Sequence, residues 1–238
     1  MKYTILLLIL LFSSILLFSQ KSAKQYVGLA IGPSFPVGNY SETNISDSTS
    51  GFAKTGIALE FTYSYRLTQN LGFQAIINYG SNGLDYKSYQ SQLEEAHPGY
   101  TAVVEVSRNW SSGGIMVGPF LTLPISNQLS WDVKGLFGVY NAYSPGFIIY
   151  ASDSLNLAAP PDEFIRQSAN AISYGYLIST GFKYKLSNYY LLLFADYISS
   201  PLKFNNASGW DWNSEPYKAS FNQDISFVTI TLGLGYFF

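Results

Sequence analysis

From Val228 to Tyr236 the chain alternates without a break, and it ends on Phe237 and Phe238. Val228, Ile230, Leu232, Leu234, Tyr236 and Phe238 are apolar or aromatic; Thr229, Thr231, Gly233 and Gly235 between them are small or weakly polar. Successive side chains of a strand point to opposite faces, so this period of two predicts a strand with one greasy face and one small face. The pattern recurs upstream. Strands are expected at 25–33, 55–67, 71–80, 114–125, 129–140, 172–186, 189–198 and 225–238. The stretch 172–186 is the cleanest, with Tyr174, Tyr176, Ile178, Thr180, Phe182 and Tyr184 on one face.

The connections alternate in length. Three are tight and share a pattern of an aliphatic residue, then Thr or Ser, then Asn or Gln: Leu67-Thr68-Gln69, Ile125-Ser126-Asn127 and Leu186-Ser187-Asn188. Four are long, near 34–54, 82–108, 144–171 and 199–224. Long structureless loops count against a compact water-soluble domain. An even number of strands with short turns on one side and long loops on the other is the layout of an outer-membrane barrel. The expected fold is therefore all-β: an eight-stranded antiparallel up-and-down transmembrane β-barrel with short periplasmic turns and long extracellular loops. Segments 100–106 and 147–150 inside the loops still read as strand, so some hairpins should project above the membrane.

Charge tests this inside–outside assignment. With each strand's outward face set by its apolar residues, Glu60, Arg66, Asp132, Lys134, Lys183, Lys185 and Asp196 all fall on the inward parity. A lysine or arginine on the lipid face at the midplane costs about 2–4 kcal/mol, which is why the rule is strict. An eight-stranded barrel has an interior just wide enough for side chains to fill. Buried charges need partners, so these seven residues are expected to form a paired polar plug. Outward aromatics sit at the turn ends (Tyr65, Trp131, Tyr184, Tyr189, Tyr236) and towards the loop ends (Tyr79, Tyr174, Tyr197). Two such girdles are expected where a barrel meets the membrane interfaces.

Composition adds to this picture. Only 12% of residues are charged while 17% are aromatic, with 20 Tyr and 17 Phe; globular chains average about 25% charged. Residues 1–20 read as a cleaved signal peptide, with Lys2, an apolar core from Ile5 to Phe12 and from Ile15 to Phe18, and a cut between positions 19 and 23. The apolar run is shorter than the roughly 20 residues a membrane-spanning helix needs. Residues 21–238 form a single barrel domain in this reading. The chain has no cysteine, so no disulfide framework and no lipoprotein anchor is expected.

Candidate chemistry is sparse. His97, the one histidine, lies in Glu94-Glu95-Ala96-His97-Pro98 in the second loop. A hydrolytic site needs a base oriented near a nucleophile, and the sequence places no such partner beside it. Carboxylates such as Glu94, Glu95, Asp162 and Glu163 show no spaced calcium loop. No catalytic, cofactor or metal site is expected. The Pro160-Pro161-Asp162-Glu163 run has the form of a short helix start. Trp210-Asp211-Trp212 in the fourth loop is the one feature with the flavour of a contact surface. Each long loop holds more acid than base, and the formal charge is −2. That surface does not suit a nucleic-acid partner.

The residues Tyr26-Val27-Gly28-Leu29-Ala30-Ile31-Gly32-Pro33, Gly51-Phe52-Ala53-Lys54-Thr55-Gly56 and the Leu232 to Phe238 ending resemble small Gram-negative outer-membrane barrels related to the transmembrane domain of OmpA and to OmpX. The resemblance covers the chain from Gln25 onward. It implies an outer-membrane location, contact with outer-membrane lipid, and a terminal strand read by the barrel assembly machinery through Tyr236 and Phe238. It carries no catalytic motif. The functional expectation is a structural or surface-interaction scaffold acting through its loops on an envelope or extracellular protein partner. A narrow porin-like channel and a lipid-active enzyme are the alternatives.

Overall fold

The computed structural model describes residues 24–153 and 161–238; the expected signal peptide lies outside them. The elements are β1 (Gln25–Pro36), β2 (Ala53–Arg66), β3 (Leu71–Leu84), α1 (Tyr86–Ala96), β4 (Tyr100–Arg108), β5 (Trp110–Pro124), β6 (Leu129–Tyr143), β7 (Gly146–Asp153), β8 (Asp162–Arg166), β9 (Asn170–Leu186), β10 (Tyr189–Trp210) and β11 (Pro216–Phe237). Strands β1, β2, β3, β5, β6, β9, β10 and β11 pair in that order, and β11 pairs back onto β1. The result is a closed antiparallel ring of eight strands, which leaves no free edge in this part of the sheet. Its seam runs from Tyr26 opposite Phe237 to Pro36 opposite Phe227.

Burial in the ring is inverted relative to a water-soluble protein. Leu29 is 63% exposed, Ile115 59%, Phe137 59%, Ile178 58% and Leu232 61%. Glu60, Thr62, Gln74, Asp132, Lys134, Lys183 and Asp196 are all buried. Large rings share the interior with them, because a glycine stands opposite on the neighbouring strand. Phe120 pairs with Gly72, where a β-carbon would lie 2.6 Å from the Phe120 ring. Phe194 is likewise paired with Gly181. The aromatic takes the space that a side chain on the glycine would have needed.

Beyond the ring the sheet continues as an outer lobe. β10 and β11 stay paired from Pro201 opposite Asp224 up to Trp210 opposite Pro216. β8 joins β10 through Arg166–Gly209 and Ile165–Trp210, β7 joins β8, and β4 joins β7 as the last strand. A β-carbon on Gly209 would collide with the Ile165 carbonyl oxygen, so the β8 backbone approaches β10 this closely only because residue 209 is glycine. The stretches 100–106 and 147–150 are strands. Two readings need correction. Segment 199–224 is mainly the continued β10–β11 hairpin, and Asp162 begins strand β8 rather than a helix. The partners offered by Phe147 and Gly209 override the local helix-start signal.

The helix in this region is α1, one loop earlier. Asp85 caps it, accepting from the Ser88 amide at 3.4 Å and the Ser88 hydroxyl at 2.9 Å. Such a cap satisfies amides left open by the first helical turn. Tyr89 and Leu93, one turn apart, face a small core of Phe52, Leu84, Ala102, Val104, Phe147 and Ile149.

Candidate functional site

Two places concentrate polar chemistry: the lumen of the ring and the space beneath the outer lobe. In the lumen, Lys134 on β6 reaches 3.2 Å to Glu60 on β2 and 3.5 Å to Asp196 on β10. Strands β2 and β6 are not neighbours, since β3 and β5 stand between them in the ring, so this ion pair spans the lumen. Lys183 pairs with Asp132 and donates to the Thr122 hydroxyl at 3.3 Å. The carboxylates are bonded a second time: Glu60 accepts from the Thr62 hydroxyl at 2.8 Å and Asp196 from the Thr229 hydroxyl at 3.1 Å. Lys134 also lies 4.3 Å from the centre of the Phe194 ring.

The other two inward-parity residues do not join this lattice. Arg66 stacks on Phe237, 4.8 Å from the ring centre. Lys185 is exposed at the turn end of β9, which corrects its assignment to the plug. Parity fixes the face of a strand and not the depth along it, and Lys185 lies at the rim. Tyr236 and Phe238 are exposed and stacked at 6.2 Å. The backbone of Phe238 closes the seam, its amide donating to the Gln25 carbonyl at 3.0 Å.

The mouth of the ring is filled by rings. The first loop turns Tyr40 inward until it is 1% exposed, edge-on to Trp110 at 5.4 Å. Trp110 donates from Nε1 to the Gly51 carbonyl at 2.8 Å and meets Phe204 at 6.0 Å, which stacks on Phe221 at 4.8 Å. Sequence reasoning missed this layer because its members come from four separate segments.

The loop residues singled out by sequence partly converge. Glu94, His97, Asp162 and Trp212 line one outer groove of about 350 Å³ with Tyr100 and Ile149. The His97 Nδ1 lies 3.2 Å from the Leu93 carbonyl. Glu94 accepts from the Ala102 amide at 3.0 Å, so it caps part of β4, the last strand of the sheet. Among the described residues, no three His, Asp or Glu side chains come together as a metal site. Asp211 shapes the β10–β11 turn, accepting from the amides of Asn213 and Glu215 at 2.9 Å each. Trp212 packs one face on Phe164 at 5.4 Å, and both tryptophans stay exposed, Trp210 at 41% and Trp212 at 43%.

No family model matches the chain, and no curated protein does. Solved structures similar to it include bacterial outer-membrane proteins. Outer membrane protein OprG from Pseudomonas aeruginosa is 13% identical, with 93% of this chain and 99% of that chain covered and a TM-score of 0.47. A major outer membrane protein from Thermus thermophilus is 14% identical over 92% and 100%, TM-score 0.47. Neisserial surface protein A is 12% identical over 90% and 97%, TM-score 0.44.

Proposed function

We propose that this chain is an integral outer-membrane β-barrel whose interior is closed by its own side chains and whose outer lobe is a surface for an envelope or extracellular protein partner. The observation that carries the proposal is the inverted burial: an apolar outer band encloses a lumen crossed by Lys134, Glu60 and Asp196. Such a ring is stable only when its outer face meets lipid, because water would expose that band to the full hydrophobic cost. The ion pairs and the aromatic layer at the mouth occupy the path a pore would need, which weighs against a porin-like channel. For a lipid-active enzyme, the bonding of His97 to its own helix's backbone supplies no activated nucleophile. In this reading the insertion machinery recognises Tyr236 and Phe238, which are exposed at the end of the closing strand.

The outer lobe has a folded core of its own, so it presents a shaped surface rather than loose loops, and the exposed Trp210 marks its tip. Envelope fractionation followed by gel electrophoresis of boiled and unboiled samples tests the membrane reading. The expected result is recovery with outer-membrane lipid and faster migration before boiling, as a folded barrel shows. Release of the protein with the soluble fraction would overturn it.

A further inference from the structure

Beneath the outer lobe, above the aromatic layer of the mouth, is a second cavity of about 290 Å³. Its one charged lining residue is Arg166, the last residue of β8, and its walls include Tyr89, Phe147, Tyr217 and Phe221. The guanidinium lies 4.4 Å from the centre of the Phe221 ring and 5.6 Å from that of Phe147. The ion pairs among the described residues are Lys54–Asp85 and those of Lys134 and Lys183, and Arg166 is in none of them. The acids nearest in its own strand, Asp162 and Glu163, are exposed. On a loop surface richer in acid than base, this cavity is therefore a local positive site walled by rings.

Burial lowers the Arg166 pKa, and burial raises those of the Tyr89 and Tyr217 hydroxyls beside it. The cation is thus held in a poorly hydrated place. Ring faces satisfy part of its charge, and the acceptors named beside it, the Tyr89 and Tyr217 hydroxyls, are neutral. A carboxylate matches the guanidinium fork with two parallel charge-assisted hydrogen bonds. A flat apolar body attached to it would stack among the walls, where aromatic pairs gain beyond their buried area.

The geometry points to a binding site for a small aromatic carboxylate, held by Arg166 between the barrel mouth and the outer lobe. One cation selects a single negative charge, and the cavity volume, at the small end for ligand pockets, selects a one-ring or two-ring body. The structural alternative is that the surrounding rings alone satisfy Arg166.

Equilibrium dialysis of the full chain in non-ionic detergent, with benzoate and its neutral counterpart benzamide as probes, separates the two. The proposal predicts saturable one-to-one benzoate binding, with benzamide weaker by about ten-fold or more, since bonds to a charged acceptor are worth that much over neutral ones. Arg166→Met should lose benzoate by at least the same factor, about ten-fold, while keeping its heat-dependent gel shift. Arg166→Lys, which keeps the charge but not the fork, should fall between. Absence of saturable benzoate binding, equal binding of benzoate and benzamide to the unaltered chain, or undiminished binding in a folded Arg166→Met chain would each overturn the assignment. The two-probe comparison stands even if the substitution disturbs the lobe.

Discussion

Replacing Lys134 with Met should destabilise the barrel by about 3–5 kcal/mol, the cost of removing one partner from a buried ion pair. The side chain of Lys134 is 1% exposed, and those of Glu60 and Asp196 are 8% and 1% exposed, so solvent screening does little to reduce the figure. Without the ammonium, two carboxylates would face each other across a closed lumen with only hydroxyl donors left to them. The urea midpoint of the heat-sensitive gel band measures the loss. Combining Lys134→Met with Glu60→Gln and Asp196→Asn should recover most of it, because removing every charge of a buried cluster leaves none unpaired. Equal destabilisation of the single and the triple variant would show that side-chain volume, and not charge pairing, holds the lumen together.

The second large effect is expected on the opposite face. Ile178 is 58% exposed on β9, midway between the turn-end Tyr184 and the loop-end Tyr174. Ile178→Arg should cost about 2–4 kcal/mol in a lipid bilayer, since it places an unpaired cation at mid-depth. On a water-facing surface the same change would stay within about 0.5 kcal/mol. Urea unfolding in lipid vesicles reads the difference directly. A near-neutral result in vesicles would contradict a lipid-facing outer band.

The ring was legible in the sequence because its outer face is apolar and its inner face small or polar, and that difference writes a period of two along the ring strands. Lys134, Glu60, Asp196, Lys183 and Asp132 were placed inward by parity alone, yet parity named no partners, and it carried the rim residue Lys185 inward with them. Helix α1 had a readable signal in Asp85, Ser88 and the Tyr89–Leu93 spacing, obscured by Ser and Tyr residues that favour helix only weakly. Strand β8 had no readable signal. Its local residues suggest a helix start, and the deciding contact is a backbone approach permitted at Gly209, more than forty positions along the chain. Arg166 was equally illegible, because helix α1 and strands β7 and β11 bring its ring partners from distant parts of the sequence. Sites built across loops leave no periodic trace.

Flotation of the refolded chain with lipid vesicles loaded with a small self-quenching dye tests the central claim most directly. The account predicts that the protein rises with the vesicles and that the dye stays inside, because the outer band enters lipid while Lys134, Glu60, Asp196 and the aromatic mouth block the lumen. Protein left at the bottom of the gradient would contradict the membrane barrel, and protein that floats while the dye escapes would contradict the closed interior.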